Sequence, residues 1–262
     1  GLGDVYKRQV YKDLEDLQTS PKPAKYPANG VFDRTNTVWV GDVKYKDISG
    51  PDGVPDGVID DYDKTNIGSP MPKFTFGWTN TFRYKNFDLS VFINGSYGNK
   101  VYNYLSMKLT HMNSPWTNQL NAVNGRAQLV PINPNKVYED GTMWYNDVSN
   151  VMVANPGASI PRATINDPND NDRISDRYIE DGSYIRLKNI SLGYTFPKKT
   201  IDKLGLSNLR IYANIQNLLT ITGYDGYDPE IGASTSSVNV YGLDNGRYPS
   251  PTVYSFGLNV SF

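Results

Sequence analysis

The chain has 262 residues, enough to bury a sizeable core in one large domain or two ordinary ones. With 26 basic and 27 acidic residues its net charge is −1, so no global field draws it to nucleic acid, and the absence of cysteine excludes a disulfide framework and thiolate metal sites. Mean hydropathy is −0.53, and no run approaches the roughly 18 apolar residues of a spanning helix, a test that strands escape because only alternate residues of a barrel strand face lipid.

Gly1–Gln9 (GLGDVYKRQ) joins no pattern and resembles adapter-derived sequence. It is set aside as a non-native leader, and residues 10–262 are expected to be a fragment whose own N-terminus lies upstream. Pro21, Pro23, Pro27 and Gly30 break up residues 10–46, which read as loop with one short strand near Val38–Tyr45.

Phe74–Tyr84 (FTFGWTNTFRY) is the first strong strand. Phe74, Phe76, Trp78, Phe82 and Tyr84 fall on one face, and Thr75, Gly77, Thr79, Thr81 and Arg83 on the other. After the two-residue turn Lys85-Asn86, Phe87–Tyr97 repeats the alternation, which predicts a β-hairpin. Residues 98–182 are long and irregular, with a strand expected to continue through Val101–Met107. Tyr184–Phe196 is a strand whose second half alternates cleanly, and Pro197–Asn208 is a short connection with one helical turn. Leu209–Leu218 alternates again. In the final stretch, Thr252–Phe262, Tyr254, Phe256, Leu258, Val260 and Phe262 oppose Val253, Ser255, Gly257, Asn259 and Ser261.

Connections alternate in length: long (47–73), short (85–86), long (98–183), short (197–208), long (219–251). Outer-membrane barrels combine short periplasmic turns with longer extracellular loops. The pattern therefore predicts an all-β chain forming part of an antiparallel transmembrane β-barrel, with the three long loops outside. Phe74, Tyr84, Tyr97, Tyr194 and Phe262, at strand ends, suit its interfacial aromatic girdle.

Four segments in order resemble the C-terminal part of the SusC/RagA family of TonB-linked outer-membrane transporters. They are Asp47–Asp63 leading into Ile67–Phe74; Phe87–Phe92 with Gly95–Asn99; Tyr178–Asn189 (YIEDGSYIRLKN); and Leu209–Tyr212 through Asn217–Thr220 to Gly226–Glu230. The resemblance implies about five strands of a plugged barrel of about 22 strands in the cell outer membrane. It also implies a SusD-like surface lipoprotein as partner, TonB acting through a region absent from this chain, outer-membrane lipid around the strands, and import of glycans or peptides. The competing reading is a soluble or surface-attached β-sandwich that binds carbohydrate.

The Asp/Gly-rich segment Asp47–Asp63 is the candidate for metal chemistry. With Asp52 as first position, Asp56, Asp60 and Asp63 fall at positions five, nine and twelve of an EF-hand-like loop, and Gly57 at six, which makes Ca²⁺ the one candidate cofactor. Val54 stands at the third position and Asp63 replaces the bidentate Glu. The lone histidine, His111, has no cysteine partner, no nucleophile elbow and no second histidine, and abundant carboxylates are not a catalytic pair, so no enzyme is expected. Trp116, Trp144, Tyr224, Tyr227 and Tyr241 in the long loops have the chemistry to stack on sugar rings or meet the lipoprotein, and equally to pack the loops together or join the aromatic girdle, so none is assigned to a ligand.

Overall fold

The computed structural model describes residues 2–23, 30–231 and 241–262. Gly1, residues 24–29 and residues 232–240 lie outside the described residues; the latter two stretches fall in segments read above as loop. The elements used below are, in chain order, β1 (Tyr6–Val10), α1 (Leu14–Thr19), β2 (Val43–Tyr45), β3 (Phe74–Tyr84), β4 (Phe87–Tyr97), β5 (Lys100–Asn103) and α2 (Tyr104–Thr110). They continue with β6 (Leu129–Pro131), β7 (Val151–Val153), β8 (Ile179–Asp181), β9 (Tyr184–Thr195), α3 (Lys198–Ile201), β10 (Asn208–Thr222), β11 (Leu243–Asp244) and β12 (Val253–Ser261). The strand predicted through Met107 stops at Asn103, whose side chain accepts from Ser106 N and caps α2.

The chain divides into two units. One comprises residues 69–102 and 180–262 and is built on five antiparallel strands in the order β12-β10-β9-β4-β3. Register carries the two faces across the sheet. Thr75, Ser96, Tyr184 and Thr222 align in one row, and Phe76, Gly95, Ile185 and Ile221 in the next. The irregular first half of β9 has a local cause: pairing shifts between Leu187 and Asn189 against both neighbours, and Asn217 opposite adopts a φ of +52°. Such a bulge puts consecutive residues out of alternation. Gly95 is demanded by its neighbours, since a Cβ there would lie 2.5 Å from the Tyr184 carbonyl and 2.6 Å from the Phe76 ring. Gly95→Ala is expected to destabilise this sheet by about 1–3 kcal/mol, read by chemical denaturation, and a loss below about 0.5 kcal/mol would show the ring moving aside freely.

The reading of these strands as part of a transmembrane barrel is corrected by this topology. The outer strands β3 and β12 do not pair with each other, so the sheet is open, and every other sheet among the described residues has two or three strands. Two unpaired edges leave backbone groups that hydrocarbon does not tolerate, so the five strands alone cannot span a bilayer. The outer-membrane location, transmembrane strands, surrounding lipid, TonB, the SusD-like lipoprotein and the imported glycan or peptide followed from the barrel reading and the resemblance, and are corrected with it. The result is an all-β arrangement of small open sheets with short helices. No helix among the described residues is long and apolar enough to cross a membrane. The apolar face of the large sheet is open: Trp78 is 53% exposed and Phe256 85%.

The other unit comprises residues 1–68 and 103–179. Its core joins Val10, Tyr11, Leu17, Val38, Trp39, Val40, Val43 and Tyr45 to Ile59, Ala127, Val151 and Val153. Secondary structure here is sparse, with β1 pairing β2 and β6 pairing β7. Side chains therefore satisfy much of the backbone. Asn171 Oδ1 accepts from Val43 N at 2.9 Å, and Asn169 Nδ2 donates to Val43 O at 3.0 Å.

At the edge of this unit Asp147 accepts from Lys136 Nζ, Tyr138 Oη and Ser149. Burial pushes its carboxyl up, but these donors outweigh burial and hold it well below the usual carboxylate range. A depressed folded-state value gives stability that is present above the unfolded carboxylate range and lost as pH falls. Lowering pH from about 6 to about 2 is expected to cost wild type more stability than Asp147→Asn; parallel losses in acid denaturation would refute this.

Candidate binding site

A concave site with polar side chains in its lining lies at one end of the large sheet. It is a cleft of about 580 Å³ between the polar ends of β3, β4 and β9 and the segments 229–231 and 241–250. Thr75, Ser96 and Tyr184 reach it from one register row, and the bulge brings Lys188 to the same side. A second hollow of about 540 Å³ lies against Phe87, Leu192, Ile211 and Phe256, and has few polar groups to orient a ligand.

A buried ion network builds the wall of the cleft. Arg186, 3% exposed, donates Nε to Thr220 Oγ1 at 2.8 Å, Nη1 to Glu230 Oε2 at 2.7 Å and Nη2 to Asp228 Oδ1. Lys188 Nζ adds a bond to Glu230 at 2.7 Å. Asp228 also accepts from Glu230 N and Ser250 N, so one carboxylate ties both ends of the loop to the sheet. Burial pushes the Asp228 carboxyl up, but Arg186 and these amides win and leave it below its usual value. Further along the loop, Tyr102 N donates to Gly242 O at 2.7 Å, and Gly242, at φ +71°, sits where a Cβ would meet Pro70. Tyr241, 56% exposed, is thereby held at the cleft.

The other predicted aromatic residues are placed differently. Tyr224 is buried and donates to Asp244; Trp144 packs against the core of the unit formed by residues 1–68 and 103–179; Trp116 and Tyr227 are exposed and do not line the cleft. Of the predicted metal ligands, Asp52 is exposed, and Asp56 Oδ1 accepts from Val58 N. Asp60 and Asp63 form a capping box, and Asp63 Oδ1 also accepts from Ile48 N and Ser49 N. These oxygens serve backbone amides. Among the described residues the group with ligand atoms close enough to share an ion is a different one, His111, Asp167 and Asp172. There His111 is buried, with Nε2 2.8 Å from Asp167 and Nδ1 3.3 Å from Asp172. Asp167 is also held by Asn171 N and Nδ2, so its oxygens are already occupied.

No family model matches the chain. Over 211 residues, 79% of this chain, it is 36% identical to TonB-dependent receptor P3 of Formosa agariphila, covering 18% of that protein. It is 33% identical over 261 residues to TonB-dependent receptor P26 of the same organism, covering 97% of this chain and 22% of the relative. To TonB-dependent receptor SusC of Bacteroides thetaiotaomicron it is 29% identical over 209 residues, 79% of this chain and 17% of the relative. The chain is a distant, partial homologue of TonB-dependent receptors. It spans about a fifth of the length of these curated relatives. A solved structure of the RagAB peptide importer in the open-open state matches all of this chain and 22% of its own, with a TM-score of 0.57 and 17% identity. At that identity the likeness is one of fold. Assignment as a barrel fragment of the SusC/RagA family is corrected to this partial homology, because the strands form an open sheet.

Sequence patterns pick out Tyr241 only as one aromatic among five. They miss Arg186 as the residue that organises the cleft wall: in YIEDGSYIRLKN it looks like a polar-face residue, and its acidic partners lie 42 and 44 positions away.

Proposed function

We propose that this chain is a non-catalytic carbohydrate-binding domain, with the saccharide seated in the cleft between the polar strand ends and the segments 229–231 and 241–250. Tyr241 carries the proposal. Among the five aromatic candidates it combines an exposed ring with a place in the wall of a concave site. A sugar offers an aromatic ring its C–H face and offers polar neighbours its hydroxyl rim; Ser96, Asn99 and Thr75 supply that second requirement. The cleft's size falls within the range of about 300–1,000 Å³ common to small-ligand sites. The Arg186 network fixes the wall before a ligand arrives, which limits the ordering cost of binding. Receptors, as the relatives are named, bind without requiring chemistry on the ligand.

The test is a glycan array probed with the whole chain, followed by calorimetric titration of the strongest hit. Tyr241→Ala is expected to weaken binding by about 1–2 kcal/mol with an unchanged circular dichroism spectrum, while Tyr241→Phe keeps it. Absence of any saccharide binding, or a Tyr241→Ala protein that binds as wild type does, overturns the proposal.

A further inference from the structure

We infer that the saccharide is acidic: the cleft takes an oligosaccharide bearing carboxylate or sulfate groups, gripped by the Arg247 guanidinium. The inference rests on the carbohydrate reading above and sharpens it. The charged residues lining the cleft are Lys188, Glu230 and Arg247. Glu230 takes bonds from Arg186 and Lys188, and Arg186 also holds Asp228, so two cations and two anions balance. Arg247 is left over. Among the described residues no carboxylate lies within ion-pair distance of its guanidinium. Asp244, the nearest acid in sequence, is spent: Oδ1 accepts from Gly246 N and Arg247 N, and Oδ2 from the Tyr224 hydroxyl.

That expenditure also positions Arg247. Asp244 is 2% exposed and Tyr224 5%, so the backbone amide of Arg247 is anchored to a buried pair while its side chain stands exposed at the cleft. A guanidinium presents a planar fork of N–H donors that matches a carboxylate or sulfate with two parallel bonds. Together with Tyr241, the wall thus offers a ring for the sugar face and an exposed cation for its anionic substituent.

The test uses the whole chain and a panel of matched oligosaccharides: neutral, uronate-bearing and sulfated versions of one backbone. The best acidic member is expected to bind at least about tenfold more tightly than its neutral counterpart, with a difference that shrinks as salt is raised. Arg247→Gln should bring the ratio of acidic to neutral affinity to about one, and Tyr241→Ala should weaken both ligands. Arg247→Lys, which keeps the charge and loses the fork, should retain part of the preference. Equal binding of acidic and neutral members, with Arg247→Gln changing neither and Tyr241→Ala weakening both, overturns the acidic specificity and leaves carbohydrate binding standing. No binding by any member sinks both.

Discussion

Trp39→Ala is expected to destabilise the unit formed by residues 1–68 and 103–179 by about 3–5 kcal/mol, the usual cost of emptying a buried indole site. Trp39 is fully buried and sits among Val10, Val38, Val40 and Val43 in the core. Its backbone matters as much as its ring. Trp39 N donates to Asp42 Oδ2 at 2.9 Å, Asp42 N returns a bond to Trp39 O, and Gly41, at φ +89°, closes the turn. Gly41 N and Asp42 O then bond to Tyr11, and Gly41 O accepts from Arg162 N, so two distant segments converge on this turn. The indole Nε1 is buried without a partner, a cost the folded state carries. Trp39→Phe removes that orphan donor and keeps most of the ring, so it should lose clearly less than Trp39→Ala. Hydrogen exchange on amides of this unit reads both. An alanine variant within about 1 kcal/mol of wild type would show that the core collapses into the vacated space.

The two units were unequally legible, for a physical reason. Strands such as Phe74–Tyr84 and Val253–Ser261 write their two faces into alternate residues, and the structure places strands over those stretches. Alternation specifies a face but not what covers it, nor whether the outermost strands meet. The transmembrane-barrel reading was an extrapolation from loop lengths, and the pairing order stops at β3 and β12. The unit around Trp39 carries no periodic signal because it has almost no long strands or helices. Val38-Trp39-Val40 is apolar at consecutive positions in a turn, and residues 98–182, which read as irregular loop, supply Ala127, Val151, Val153 and Ala158 to the same core.

The candidate site was legible in part. Tyr241 was visible as a loop aromatic, but what separates it from Tyr227 or Trp116 is the pinning of Gly242 against Pro70 and β5, which no local pattern records. Arg247 stands in a Gly-rich loop with nothing to mark it. Its significance comes from what its neighbours have already spent their charges on, a property of partners 17 to 61 positions distant.

Arg162→Met should cost about 3–5 kcal/mol, because it strands a buried carboxylate. Asp42 is fully buried and Arg162 3% exposed; Nε donates to Oδ1 at 2.8 Å and Nη2 approaches Oδ2 at 3.4 Å. Burial pushes the Asp42 carboxyl up from its ordinary value, and Arg162, with the Trp39 amide, works against that push. Without the guanidinium the push is less opposed, and the folded state then favours a protonated carboxyl. A raised folded-state value contributes stability below the unfolded carboxylate range that is lost as pH rises. The Arg162→Met deficit should therefore be largest near neutrality and shrink below about pH 4. Asp42→Asn combined with Arg162→Met removes the charge as well as its partner, and should recover part of the loss at neutral pH, the coupling expected of a directly bonded pair. A deficit that is the same at both pH values, with strictly additive single and double variants, would place the damage in lost side-chain packing and not in the stranded charge.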